Sequence, residues 1–207
     1  MNKNIIKPFL TLGLVAVVVI IIGIALFKTS ETSEQKNEAV ATANNLIGKP
    51  MPEITLKDKD GRDYDISSLK GKNTVLFFNE GIMCYPACWN QMASFGTDPR
   101  FNSNDLVALS VVTDSPMDWQ KAYDKMPDLA KATILFDGTG GMAHNTNTKD
   151  TASYRLGLLS MNSSMHPGQS PGHTYIMLDK EGVVRDVVDD ANMGVNNDKL
   201  FDMMSKY

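Results

Sequence analysis

The only two cysteines in this chain, Cys84 and Cys88, stand four residues apart in Met83-Cys84-Tyr85-Pro86-Ala87-Cys88-Trp89. An apolar run with strand character, Thr74-Val75-Leu76-Phe77-Phe78, comes just before them, and a helix-compatible stretch, Trp89 to Phe95, comes just after. The order strand, thiol pair, helix fixes the centre of the domain as a strand-to-helix junction. Thiolate, not thiol, is the nucleophile and the metal ligand. The first turn of a helix offers unpaired backbone N–H groups and the positive end of the macrodipole. Pro86 suits a first helical position, because its missing N–H would be unpaired there anyway. Cys88 is therefore expected in the first turn and Cys84 just ahead of it. Such a helix end stabilises an anion by up to about 2 kcal/mol, enough to bring an ordinary thiol close to half ionised at neutral pH.

Three uses of the pair are open: redox exchange, a soft-metal site and a structural bridge. The last is the least rewarding. Closing a five-residue loop gains roughly 2 kcal/mol in the chain-entropy model, against about 5 for a very long loop. On a regular helix, residues four apart have Cα atoms about 6 Å apart, near the long end for a disulfide. A bond at this spacing is strained or needs a non-helical start. Redox function is the preferred reading.

The ends of the chain bound where this chemistry takes place. Residues 9–27, Phe9 to Phe27, form an uncharged apolar run long enough to span a bilayer and longer than the apolar core of a secretory signal. Residues 1–8 then read as a short cytoplasmic tail, 9–27 as a transmembrane helix, and 28–45 as a polar linker. Residues 46–207 make one domain of ordinary size. Lys3 and Lys7 ahead of the run, with Lys28 behind it soon followed by Glu31 and Glu34, favour the tail inside and the domain outside the cytoplasm. A cleaved signal peptide is the alternative. The expected location is the cell membrane, single-pass. Outside the cytoplasm thiols tend to be oxidised, so a working dithiol there needs an extracytoplasmic thiol reductant as partner. A net charge of −4 argues against nucleic acid. No Gly-rich phosphate loop follows a strand, so no organic cofactor is expected.

Along the domain, Ile54 to Lys57 and Asp63 to Ile66 flank Asp60-Gly61, a hairpin signal. Strands are expected at Thr74 to Asn79, Leu106 to Val112 and Thr133 to Phe136, and a second hairpin at Thr174 to Leu178 and Val183 to Val188. Ser115 as cap and Pro116 at the first position open a helix reaching Met126. A short helix is expected at Thr151 to Leu158 and a terminal one at Asn197 to Ser205. Strands alternating with helices give an α/β fold with a partly parallel central sheet and an antiparallel edge. Sites on such sheets lie at the carboxyl ends of strands, where Cys84 falls.

Ile47-Gly48-Lys49-Pro50-Met51-Pro52-Glu53-Ile54, Asp60-Gly61 and Leu69-Lys70-Gly71-Lys72 resemble the redoxin superfamily, as do the strand leading to the cysteine pair, Ser110 to Pro116, and His173 to Gly182. This group includes peroxiredoxins of the alkyl hydroperoxide reductase/thiol-specific antioxidant type and membrane-anchored thioredoxin-like reductases. The resemblance covers nearly all of residues 46–207. It implies a thioredoxin-like fold, a central mixed sheet flanked by helices, and a thiol-disulfide oxidoreductase or thiol peroxidase acting on a protein disulfide or a peroxide. Cys84 and Cys88 would be catalytic, with Tyr85, Trp89 and His173 meeting substrate. Pro86-Ala87-Cys88 matches a peroxiredoxin register, in which Cys88 attacks; the thioredoxin register makes Cys84 the attacking thiol, and its cis-proline would directly precede the Thr174-Tyr175 strand. A third relative, the copper chaperones of cytochrome oxidase assembly, shares the anchor and the three-residue gap between cysteines. That resemblance implies copper on Cys84, Cys88 and a histidine, His166 or His173. Among the other residues, Glu80 reads as a solvated loop residue, Arg185 as a hairpin surface charge or a thiolate-stabilising arginine, and His144 as surface.

Overall fold

The computed structural model describes residues 43–137, 151–159 and 161–207. Residues 1–8, the expected span 9–27, most of the linker 28–45, and His144 lie outside the described residues. Ala43, within the expected linker, is already buried in the core. Among the described residues, no helix is long and apolar enough to cross a membrane.

Seven strands form one mixed sheet: β1 (Thr55–Lys57), β2 (Asp63–Asp65), β3 (Asn73–Asn79), β4 (Leu106–Val112), β5 (Thr133–Phe136), β6 (Thr174–Leu178) and β7 (Val184–Asp189). Their order is β2-β1-β5-β4-β3-β6-β7. β3, β4 and β5 are parallel, joined through helices α1 (Ala87–Thr97) and α2 (Pro116–Lys125). β6 runs antiparallel to β3, and β7 antiparallel to β6. This is a thioredoxin-like α/β arrangement, with both expected hairpins present. All seven residues of β3 are buried, as a central strand covered on both faces requires. Val75 and Phe77 join the core formed with α1, α2 and the terminal helix α4 (Asn197–Met204), through Met92, Phe95, Trp119 and Leu200. Leu76 and Phe78 face the opposite core, with Leu109, Ile176, Ile54 and Leu156.

Local signals worked as their chemistry predicts. Ser115 caps α2 by accepting the Asp118 N–H, with Pro116 at the helix start. The expected helix over 151–158 is instead the short α3 (Ala152–Arg155), because Gly157 takes a left-handed φ of 72° and ends it. α1 begins at Ala87 with Pro86 as its cap residue, one residue later than the spacing predicts.

The topology brings three segments to one end of the sheet. β3 ends at Asn79 and leads into Glu80, a single 3-10 turn Gly81–Cys84, and then α1. Thr174 pairs with Phe78 across the antiparallel β6, so the preceding His173 lies beside that junction. β4 ends at Val112, with Asp114 just beyond it.

Candidate active site

Cys84 and Cys88 form a disulfide with Cα atoms 5.4 Å apart. The non-helical start that this spacing needs is present: Cys84 closes the 3-10 turn, the chain breaks at the cis Tyr85–Pro86 bond, and Cys88 is the second residue of α1. Both cysteines are buried, Cys88 completely and Cys84 with 3% exposure. Met83 and Tyr85, on either side of Cys84, are about half exposed, at 49% and 48%. Cys84 therefore lies just beneath the surface, while Cys88 points inward.

The inner sulfur faces the imidazole of His173. Its Nδ1 lies 3.5 Å from Cys88 Sγ, and its Nε2 lies 2.7 Å from the Tyr175 hydroxyl. The ring is buried and packs on Phe77 at a centroid distance of 4.5 Å. Burial holds its pKa down at about 4, against the opposite pulls of Asp190, the Gly194 backbone and Asp189. The imidazole beside the disulfide is thus neutral at physiological pH. It stands directly before β6, where the thioredoxin register expects a cis-proline; the one cis peptide among the described residues is Tyr85–Pro86.

Of the three residues assigned to substrate contact, only Tyr85 is exposed. The Lys125 ammonium sits over its ring at 3.6 Å, a cation–π contact. Trp89 is buried, with its indole N–H donating to the Gly81 carbonyl at 3.1 Å and its ring near Trp119. Its position is that of a brace for the Cys84 turn. Cys84, Cys88 and His173 offer donor atoms that all lie within 4.8 Å of one another. His166 is not part of this cluster; its backbone N–H and its Nδ1 both approach Glu80 Oε1, at 3.1 and 3.4 Å.

One further expectation is corrected. Glu80 is buried, because the segment 164–170 folds over it: its Oε1 accepts from the Met165 and His166 N–H groups and from the Ser170 hydroxyl. Arg185 is an exposed charge on the β6–β7 hairpin, the first of its two readings; it pairs with Asp179 at 2.6 Å, at the opposite end of β6 from His173, which removes the thiolate-stabilising one.

Sequence reasoning missed Asp114. Its Oδ2 accepts the Ile82 N–H at 2.9 Å and holds the Cys84 turn against β4. Gly81 makes this fit possible: its φ is 62°, and a Cβ there would meet Asp114 Oδ2 at 1.7 Å. Burial pushes the Asp114 carboxyl up to about 6, with the Ile82 N–H opposing and Asp118 adding to the rise. A raised native pKa means the folded state binds the proton more tightly, so this group's contribution to stability is full below pH ~4 and is lost as pH climbs through 6. Asp114→Asn keeps an acceptor for Ile82 without the charge. Its stability relative to the parent is expected to rise by about 2.4 kcal/mol between pH 4 and pH 7, read from urea unfolding at both values; a constant difference would contradict the assignment.

Comparisons with known proteins establish the family and the fold. A chloroplastic peroxiredoxin Q from Populus jackii is 24% identical over 166 residues, a match covering 74% of this chain and 64% of that protein. The chain thus spans under two thirds of that relative's length. Among solved structures, a peroxiredoxin-like protein from Aquifex aeolicus superposes with a TM-score of 0.57 at 17% identity, covering 77% of this chain and 86% of that one. The exposed lipoprotein thioredoxin Etrx1 from Streptococcus pneumoniae gives 0.53 at 19% identity, covering 75% and 99%. Residues 47–187 match the profile of the AhpC/TSA family, a match that takes in both cysteines, His173 and strands β1 to β6, and the chain belongs to that family.

Proposed function

We propose that this protein is a membrane-anchored thiol–disulfide oxidoreductase acting outside the cytoplasm, with Cys84 and Cys88 as its exchanging pair. The observation that carries the reading is the disulfide itself, formed at a helix start with a neutral imidazole on its inner sulfur. Family membership and the thioredoxin-like fold support thiol chemistry; the apolar run at 9–27 supports the anchor.

The two sulfurs have different roles. In the reduced protein the Cys84 thiolate, nearer the surface, attacks a substrate disulfide; one substrate sulfur stays bonded to Cys84 and the other leaves as a thiolate and is protonated. Cys88 passes its S–H proton to His173 Nδ1 and attacks the Cys84 sulfur. The Cys84–Cys88 bond forms, and the second substrate sulfur leaves with a proton. Two electrons and two protons have moved to the substrate, and an external dithiol donor returns them. In the disulfide form no anion faces Nδ1, so the ring is neutral; a Cys88 thiolate beside it favours the protonated ring. The same pair reduces a peroxide if one thiolate attacks its oxygen and the resulting sulfenic acid condenses with the other thiol, releasing water.

Mixing the reduced full-length protein with a disulfide-bonded peptide, and separately with hydrogen peroxide, tests the choice. The proposal expects the peptide disulfide to be reduced with the larger second-order rate constant. A faster peroxide phase abolished by Cys88→Ser replaces it with the peroxidase reading.

One observation favours a second reading, a copper-binding chaperone: the compact Cys84, Cys88, His173 set. Two thiolates and an imidazole suit Cu(I), and reduction of the disulfide frees all three donors. In this reading His166, engaged with Glu80, is not a ligand. Cu(I) titration of the reduced protein should give one equivalent bound, lost in His173→Ala and kept in His166→Ala; absence of binding removes the reading.

A further inference from the structure

Behind the imidazole lies a largely buried chain of polar side chains, several of whose hydrogen-bond directions are fixed by groups that can only donate or only accept. A backbone N–H only donates, so the Gln91 side-chain atom 2.7 Å from the Asn196 N–H is the carbonyl oxygen Oε1. Gln91 Nε2 accordingly donates to Asn197 Oδ1 at 2.8 Å, and Asn197 Nδ2 donates to the Asp98 carboxylate at 2.9 Å. Arg100 beside Asp98 holds that carboxyl down at about 2, so it is an acceptor only. The chain is thus pinned by a carboxylate at one end and by a main-chain donor in its middle.

The Tyr175 hydroxyl lies 3.1 Å from Gln91 Oε1. A carbonyl oxygen cannot donate, and turning the hydroxyl proton to His173 Nε2 would leave two bare oxygens facing each other at 3.1 Å, so the proton is placed toward Gln91. The phenol oxygen is left to accept. It receives Asn196 Nδ2 at 3.3 Å and faces His173 Nε2 at 2.7 Å. Two bare acceptors do not sit at that distance, so Nε2 carries the ring proton. Asp190 Oδ2, 4.0 Å from the same nitrogen, favours a proton there as well. A neutral imidazole has one N–H, and Nδ1, the atom facing Cys88 Sγ, is therefore left with its lone pair.

We infer that Gln91 is a positioning residue: through Tyr175 it fixes His173 as the Nε2–H tautomer and keeps the Nδ1 lone pair aimed at Cys88. This deepens the thiol-exchange reading and rests on it for its consequence, since only the bare Nδ1 takes the proton of the resolving thiol. In the other tautomer an N–H faces the sulfur and no base is present. Gln91, Tyr175 and His173 are all within 1% of full burial, so water does not supply alternative partners.

The test is nitrogen NMR of the oxidised full-length protein labelled with 15N-histidine, the His173 signals being those absent in His173→Ala. The expected spectrum has a protonated-type Nε2 and a bare-type Nδ1. Gln91→Met has nearly the same length and no acceptor. In it the Tyr175 proton is free to turn to Nε2, the ring proton moves to Nδ1, and the pattern inverts. The rate of peptide-disulfide reduction by the reduced variant then falls about tenfold. Gln91→Glu, which keeps an acceptor toward Tyr175, retains the parent pattern. A protonated Nδ1 in the parent protein, or an unchanged pattern in Gln91→Met, overturns the inference, and the parent spectrum decides even if Gln91→Met does not fold. A parent protein with the expected spectrum that exchanges with no disulfide refutes the exchange reading and leaves the tautomer assignment standing.

Discussion

Cys88→Ser protein, reduced and mixed with a disulfide-bonded peptide, is expected to retain half of that peptide covalently on Cys84. The first exchange needs only the outer thiol, and the second, which releases product, needs the sulfur that has been removed. Mass spectrometry of the acid-quenched mixture reads the adduct directly. Cys84→Ser is expected to give no adduct and to lose turnover by about 10³-fold or more, in line with the deletion of a covalent nucleophile. The asymmetry follows from position: Cys84 ends a turn between two half-exposed side chains, whereas Cys88, in the first turn of α1, is fully buried against His173. An adduct that forms through Cys88 in Cys84→Ser, and not through Cys84 in Cys88→Ser, reverses the roles and matches the peroxiredoxin register of Pro86-Ala87-Cys88.

His173→Ala is expected to slow the resolving step by about 10²-fold, the lower range for loss of a positioned acid–base group. Capture of substrate by Cys84 is expected to change far less, because His173 contacts the other sulfur. The two steps separate in a rapid-mixing experiment: adduct builds up quickly in the variant and decays slowly. An equal slowing of both phases would mean that the ring supports the whole junction and has no specific task at Cys88. The variant also leaves a cavity beside Phe77 and Tyr175, so its unfolding midpoint needs to be recorded alongside the rates.

Much of this arrangement was legible in the amino-acid order. The strands at 73–79 and 106–112 announced themselves as apolar runs, and the Asp-Gly and Asp-Lys-Glu-Gly turns marked the hairpins. The strand-to-helix setting of the cysteine pair located the site. What could not be read were contacts between residues distant in sequence. Glu80 looked solvated because nothing near it in the chain buries it; its partners lie 84 to 90 positions later. Asp114 reads as an ordinary loop carboxylate until β4 is laid beside β3 and its oxygen meets Ile82. Gln91 did leave a signal. It lies three residues after Cys88 and four before Phe95, on the buried stripe of α1, and a polar residue on an apolar face asks for a partner. Finding Tyr175 as that partner required the β3–β6 pairing. Arg185 left two readings open, and the register of the β6–β7 hairpin decides for the surface charge by carrying the side chain to Asp179 at the far end of the sheet.

The account rests on the Cys84–Cys88 bond being one that opens and closes under physiological thiol conditions. Equilibrating the full-length protein in glutathione buffers of graded ratio, quenching with an alkylating agent and weighing the product by mass spectrometry measures this directly. The prediction is a two-electron transition inside the range spanned by known dithiol oxidoreductases, roughly −120 to −270 mV. A bond that stays fully oxidised to potentials well below about −300 mV would make the pair a static bridge and would contradict the account.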